Sequence, residues 1–234
     1  MHLFYTPFID GSDHYLDEAE SRHSVKVLRL RRGDKVILVD GKGTWYEAMI
    51  TEGNPTKCRL GILNKTENFH PLSYHLHIGI TPVKNIERFE WFVEKATEIG
   101  ISEITPIICE RSERREIRTE RIEKIIISAM KQSRKAYKPV LNSLTAFQDW
   151  IRLPFNGSRA IGFMDDSQRK YLWDVPVNHG LKIAIGPEGD FTDHEVELAI
   201  QHDFIPVSLG DSRLRTETAG VVSCSFAQVM FMKK

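Results

Sequence analysis

Two short apolar runs, residues 181–185 and 204–209, each break into a glycine-bearing polar turn that opens a helical pattern. No other feature restricts the fold as much. Leu181-Lys182-Ile183-Ala184-Ile185 reads as a buried parallel strand, and Gly186-Pro187-Glu188-Gly189-Asp190 follows as a turn. Thr192-Asp193-His194-Glu195 then has the form of a capping box that opens a helix. The second run ends in Leu209-Gly210, and a polar turn leads to a helix running nearly to the C-terminus. Thr216 or Thr218 is suited to be its N-cap, and Glu217 favours the positive end of its dipole. Ala219, Val222, Ser223, Phe226 and Met230 then share one face, small at its start, so that a backbone can approach closely. Gly186 and Gly210 lie 24 residues apart, the spacing of adjacent βαβ elements. Adjacent parallel strands would place both turns on one edge of a sheet, where open α/β sheets bind ligands. Glycines that only terminate strands are the alternative. The glutamate in each turn and the arginine in the second favour a ligand pocket.

The first 70 residues read differently. Residues 35–40, 44–51 and 57–63 form three short strands joined by Gly41-Lys42-Gly43 and Gly53-Asn54-Pro55, which suggests a small barrel or meander. Before them, residues 18–30 fit a helix that carries His23, Lys26 and Arg29. A histidine in such a place is more often structural than catalytic. Residues 65–71 read as a linker, after which strands and helices alternate. Strands are expected at 74–80, 103–109 and 159–164. Helices are expected at 86–99, stopped by Gly100, and at 119–134, with Ile122, Ile125, Ile126 and Ala129 inward. This order predicts an α/β fold with a mostly parallel sheet covered on both faces. The expected domains are 1–70 and 73–234.

The chain has 32 basic and 32 acidic residues, which argues against a general nucleic-acid binder. The distribution is uneven. Arg22, Lys26, Arg29, Arg31, Arg32 and Lys35 face only Asp34 within residues 22–35, and residues 110–138 are also locally basic. Such clusters can contact phosphates, or form a solvated charged face. Cys58, Cys109 and Cys224 are far apart and read as free thiols of a reducing cytoplasm, with no zinc site indicated. No apolar run approaches a membrane span, and the first residues lack the order of a signal peptide. GxGxxG, GxxxxGK[ST], GxSxG and HExxH are all absent. Carboxylates rather than lysine follow the glycine turns, which suits a ligand carrying positive charge better than a triphosphate.

Six motifs in this order resemble the bacterial RsmE family, the 16S ribosomal RNA uracil-N3 methyltransferases of the SPOUT superfamily. They are His23-Ser24-Val25-Lys26-Val27-Leu28-Arg29 with Gly33-Asp34 and Asp40-Gly41-Lys42-Gly43; Glu94-Lys95-Ala96-Thr97-Glu98-Ile99-Gly100; Glu110-Arg111-Ser112; Gln132-Ser133-Arg134 with Pro139; Gly186-Pro187-Glu188-Gly189; and Leu209-Gly210 through Leu214-Arg215-Thr216-Glu217-Thr218-Ala219. The resemblance spans essentially the whole chain. The family commonly places another glycine where this chain has Asp190. The resemblance implies an N-terminal PUA-like β-barrel, a C-terminal SPOUT α/β domain with a trefoil knot, a cytoplasmic homodimer and S-adenosylmethionine as methyl donor. It further implies 16S ribosomal RNA or the small ribosomal subunit as partner. Cofactor contacts would come from Met164, Gly186, Pro187, Glu188, Gly189, Leu209, Gly210, Leu214, Arg215 and Thr216. RNA contacts would come from Arg22, His23, Lys26, Arg29, Arg31 and Arg32.

The chemistry so implied joins a methyl group to N3 of a uracil. The nucleophile is the N3 anion, whose charge spreads over O2 and O4, so a fixed guanidinium is suited to hold it. Arg134 and Arg111 are the first candidates and Arg215 the third, while Glu188 or Glu217 would complement the sulfonium. Two other readings stand beside this one: a SPOUT enzyme acting on a ribose 2′-oxygen or a transfer-RNA guanine, and a non-catalytic RNA-binding protein on the same fold.

Overall fold

The computed structural model describes residues 1–9, 11–163 and 170–232. The chain forms two compact units. The first comprises Met1–Pro71 together with Met130–Lys138, and the second comprises Leu72–Ala129 with Pro139–Lys234. The first unit therefore takes a nine-residue piece that begins in the last turn of the helix Thr119–Gln132, which no composition shift announces.

The first unit is built on a five-stranded sheet. Its strands are β1 (His2–Tyr5), β2 (Asp13–Tyr15), β3 (Lys35–Val39), β4 (Trp45–Glu52) and β5 (Arg59–Thr66), in the order β1-β3-β4-β5-β2. β1 runs parallel to β3, and the other pairs are antiparallel. The expected meander is its centre. The two edge strands are too short to show alternation in the sequence, although β1 buries Phe4 against Val36, Leu38 and Ile50. At the β3–β4 turn, Asp40 Oδ1 accepts the backbone N–H groups of Lys42 and Thr44 at 2.7 and 3.0 Å. Gly43 leaves no room there for a side chain, since a Cβ would lie 2.2 Å from the Tyr137 ring.

The helix expected over 18–30 is shorter. α1 (Glu18–Arg22) is capped by Asp17, and its last turn widens into a π-helical turn over His23–Val27. Arg29 then adopts a left-handed backbone with φ 57°, which stops the winding. Buried Ser21 explains why the helix sits where it does: its hydroxyl donates to the Leu16 carbonyl and accepts the Cys58 N–H at 2.9 Å. Lys131 reaches the Glu20 carboxylate at 2.6 Å, and Met130 and Ala136 pack with Ile37 and Val39.

The second unit carries a parallel sheet in the order β12-β10-β11-β6-β7-β8. Its strands are β6 (His75–Ile80), β7 (Glu103–Ile108), β8 (Val140–Leu141), β9 (Thr145–Ala146), β10 (Ser158–Gly162), β11 (Gly180–Ile185) and β12 (Ile205–Val207), with β9 pairing to β7. The helices are α2 (Ile86–Ile99), α3 (Thr119–Gln132), α4 (Phe147–Arg152), α5 (Asp193–Gln201) and α6 (Thr216–Met232). Alternate residues of β10 and β11 feed two separate cores. Ala160 and Ile183 join Leu76, Ile78, Phe89 and Phe92, whereas Ile161 and Ala184 join Trp150, Phe191 and Phe204. This period of two is what a sheet covered on both faces requires.

One expectation is corrected here. β11 and β12 are not neighbours, because β10 lies hydrogen-bonded between them. All three are parallel, so their C-terminal ends still share one edge, and the end of β10 joins them there. The N-cap expectation also changes. Thr216 and Thr218 both lie inside α6. The buried face of α6 runs through Gly220, Ser223, Cys224, Ala227 and Phe231, one position round from the face that the apolar spacing suggested.

Candidate active site

A cleft of about 660 Å³ opens at the C-terminal ends of β10, β11 and β12. Three loops and one helix start build it. Gly162 and Phe163 extend β10, residues 185–190 extend β11, and residues 207–219 run from β12 into α6. Arg88, in the first turns of α2, closes one side.

The two glycine turns are bonded to each other. The Thr216 hydroxyl donates to the Gly186 carbonyl at 2.9 Å, so the first residue of α6 is tied to the loop after β11. Ser208 holds the second turn from within, since its hydroxyl donates to the Gly210 carbonyl at 2.7 Å and accepts the Gly210 N–H at 3.2 Å. Gly210 sits at φ 139°, a conformation side chains rarely adopt, so its backbone faces the cleft bare. In the first turn, Asp190 takes φ 62° and accepts the Phe191 N–H on its own carboxylate at 2.8 Å. Burial raises the pKa of that carboxyl. Aspartate tolerates the left-handed region better than most residues, which allows it to stand where a glycine would be easier.

Three carboxylates line the cleft, from Glu188, Asp190 and Glu217. Glu188 accepts the Lys84 N–H at 3.1 Å. Glu217 is buried in the first turn of α6, with the Arg88 guanidinium 3.9 Å away. Ile185, Leu209 and Leu214 supply apolar wall. A ligand that is part flat and apolar, part hydrogen-bonding and part cationic suits this set. Adenine, ribose and sulfonium of S-adenosylmethionine have those properties in turn.

Of the ten residues proposed from sequence to touch a cofactor, Gly186, Pro187, Glu188, Leu209, Gly210, Leu214, Arg215 and Thr216 line the cleft. Gly189 is absent from the lining and packs against Arg111, whose Cδ would be 3.4 Å from a Cβ placed there. Met164 lies outside the described residues. The three arginines separate. Arg215 lines the cleft. Arg111 donates from Nη1 to the carbonyls of Gly189 and Phe191 at 2.7 and 3.3 Å, so it braces the loop after β11. Arg134 belongs to the first unit, is exposed, and has a left-handed backbone with φ 54°. Arg22, His23, Lys26, Arg29, Arg31 and Arg32 are all exposed on the first unit, with Arg22 paired to Glu18 at 2.6 Å.

Sequence reasoning missed Arg88, Ser208, Gly162 and Phe163 as lining residues. Phe163 lies near the end of the strand expected at 159–164, and that position was the available signal. Arg88 has none, because only the packing of α2 against α6 brings it 129 positions along the chain to Glu217.

A family profile described as an RNA methyltransferase domain matches residues 70–228, and one described as an RNA methyltransferase PUA domain matches residues 16–63. The ribosomal RNA small subunit methyltransferase E of Buchnera aphidicola (subspecies Acyrthosiphon pisum) is 30% identical over 232 residues, covering 95% of this chain and 90% of that protein. The chain belongs to the ribosomal RNA small subunit methyltransferase E family. Solved structures of similar proteins share the fold over nearly the full length. A probable rRNA-methyltransferase from Porphyromonas gingivalis superposes with a TM-score of 0.92 at 42% identity, covering 98% of both chains. A methyltransferase E from Neisseria gonorrhoeae, solved bound to S-adenosyl methionine, gives 0.87 at 27% identity and covers 98% of this chain and 97% of its own. The methyltransferase E family is thus the one that the six sequence motifs pointed to.

Proposed function

We propose that this protein transfers the methyl group of S-adenosylmethionine to N3 of a uridine in 16S ribosomal RNA. The observation that carries the reading is the cleft formed by two mutually bonded glycine turns and lined by three carboxylates, in a chain of the methyltransferase E family. When bound, S-adenosylmethionine supplies an electrophilic methyl group. The chain's own work is to hold the adenosine on the bare backbone of the turns, to place carboxylate charge near the sulfonium, and to fix the acceptor base in line. Positioning of two bound reactants supplies much of the acceleration in such reactions.

Eight lining residues, Gly186, Pro187, Glu188, Leu209, Gly210, Leu214, Arg215 and Thr216, are assigned to the cofactor, with Gly189 supporting their loop. Met164 keeps its assignment from sequence alone. Arg111 braces the first turn, Arg215 contributes charge in the cleft, and Arg134 is one guanidinium assigned to the charge that develops on the base. Residues 1–70 act as a PUA-like RNA-binding barrel, offering Arg22, His23, Lys26, Arg29, Arg31 and Arg32 to phosphates. Residues 73–234, apart from the segment 130–138 that belongs to the first unit, form the SPOUT domain. Its C-terminal segment threads as a trefoil knot, and two copies associate as a cytoplasmic homodimer that acts on the small ribosomal subunit. The N3 edge is used in base pairing, so the target base is taken unpaired.

Titration calorimetry with S-adenosylmethionine tests the cofactor half of the proposal. The wild-type protein binds one equivalent per chain, and Gly210→Val, which forces a side chain into φ 139°, abolishes binding. Undiminished binding by that variant would sink the assignment of the cleft. Arg134→Ala should abolish methyl transfer while sparing cofactor affinity. Intact turnover would refute its role.

A further inference from the structure

Beside the cofactor cleft lies a second, shallower cleft of about 330 Å³. Its walls are Asn85, Glu87, Arg88 and Trp91 at the start of α2, and Glu217 and Thr218 at the start of α6. Arg88 and Glu217 line both clefts, so the two meet at that pair. Trp91 is 43% exposed, which leaves a large aromatic surface free on the wall.

The chemistry of these walls narrows what can bind. Two carboxylates, Glu87 and Glu217, oppose a polyanion, so this is no phosphate site. The indole offers a flat stacking surface, which accepts the π-face of any nucleobase. The Arg88 guanidinium offers donors in a fork and accepts nothing. Its Nε stands 3.9 Å from Glu217 Oε1, too far for a formed hydrogen bond, so its donors are not consumed by that pair. Asn85 spends its carbonyl oxygen on the Glu87 N–H at 3.1 Å as the cap of α2, so its amide NH₂ is what it can offer a ligand. Glu217 is an acceptor. The donors of Arg88 and Asn85 suit a ring with two carbonyls flanking one nitrogen, as uracil has at C2 and C4, and leave N3 between them open to the cofactor cleft.

We propose that this cleft receives the acceptor base, with the uracil ring stacked on Trp91 and a base carbonyl on the Arg88 guanidinium. The assignment rests on the functional reading above and deepens it by naming the site of the second substrate. Because Arg88 stands at the junction, the edge it holds faces the cofactor cleft. As the N3 proton passes to water at the open rim, negative charge spreads onto the base carbonyls. Arg88 then faces a full charge where it first faced a dipole. A fixed cation in that place lowers the pKa of N3 and favours the anion over the neutral ring. Trp91 gives binding and orientation, and Arg88 gives charge stabilisation.

The test uses small ribosomal subunits from a strain lacking the gene, with steady-state methylation followed at several pH values and cofactor affinity measured by calorimetry in parallel. Trp91→Ala should lower kcat/KM for the subunits by about 10- to 100-fold, the loss of one base–aromatic stack, with cofactor affinity unchanged. Trp91→Phe, which keeps an aromatic face, should recover most of that loss. Arg88→Gln should lower kcat rather than raise KM, and should move the rising limb of the pH profile to higher pH. Wild-type kcat/KM in Trp91→Ala would overturn the site. A loss in Trp91→Ala that cofactor affinity follows in proportion, or that Trp91→Phe does not recover, would make Trp91 a structural residue and overturn it as well. If the wild-type protein itself transfers no methyl group to the RNA, the functional reading fails and the base site with it. Transfer by wild type with equal transfer by both variants removes the base site alone.

Discussion

A Cβ at Gly220 would lie 2.5 Å from the Phe92 ring and 2.9 Å from Ile80 Cδ1, so α6 approaches α2 and β6 only because that side chain is absent. Gly220→Ala should destabilise the fold by about 1–3 kcal/mol through overpacking, read as a lower urea midpoint at unchanged slope. A wild-type midpoint would show that the helix shifts freely. The polar network at the start of β6 makes a second prediction. Trp150 Nε1–H donates to His77 Nε2 at 3.1 Å, and the Thr105 hydroxyl lies 2.7 Å from the same nitrogen. Nε2 therefore holds the lone pair, and the proton sits on Nδ1, 3.5 Å from Glu103 Oε2. Burial pushes the His77 pKa down to about 4, and hydrogen bonds from His75 and Asn142 hold Glu103 down at about 2. A depressed histidine pKa means that the unfolded chain binds the proton first. Stability should fall as pH drops below about 6.5, by on the order of 2 kcal/mol at pH 4.5 for His77 alone. Glu103 adds to the loss below about pH 4.5, since its stabilising charge is removed as pH falls toward 2. Unfolding free energies at pH 7 and 4.5, compared between wild type and His77→Gln, check this. An equal drop in both would contradict it.

Helices whose ends are written in side chains were legible, and those ended by packing were not. α2 starts behind the Asn85 cap and stops at Gly100, and its bounds match the apolar spacing at both ends. The box at the start of α5 is present in both directions, with Thr192 accepting the Glu195 N–H and the Glu195 carboxylate accepting the Thr192 N–H. Thr192→Ala should cost about 1 kcal/mol of stability. Glu195 also accepts the Glu110 N–H at 2.8 Å, so Glu195→Ala should cost more than the cap alone, and an effect no larger than Thr192→Ala would refute the second role. α1 shows the opposite case. Its apolar spacing continues to Leu30, but the π-helical turn and the left-handed Arg29 end it early. At α6 a threonine that looked like a cap instead bonds to Gly186, 30 residues upstream, and no local pattern records that choice. The glycine turns were legible because a bare backbone needs glycine. Arg88 was not, because a charged residue on a helix's first turns looks like any solvated one.

Across the whole molecule, zero net charge conceals a basic stretch on the first unit, where Arg29, Arg31 and Arg32 are all exposed. If they meet phosphates, replacing the three by alanine should weaken RNA binding and reduce the slope of log affinity against log salt by up to about 3. An unchanged slope would place the RNA elsewhere. The parallel sheet followed from the alternation of strand and helix, whereas the strand order did not. β10 enters between β11 and β12, and long-range pairing of that kind leaves no periodic trace. No helix of the described residues is long and apolar enough to cross a membrane. The claim that unites these features is methylation of a uridine at N3. The measurement to make is incubation of the purified protein with labelled S-adenosylmethionine and small ribosomal subunits from a strain lacking the gene, followed by digestion of the RNA and mass spectrometry of its nucleosides. The account predicts label in 3-methyluridine. Label in a ribose 2′-O-methyl nucleoside or a methylated guanosine would contradict the substrate assignment, and no transfer together with no cofactor binding would contradict the enzyme itself.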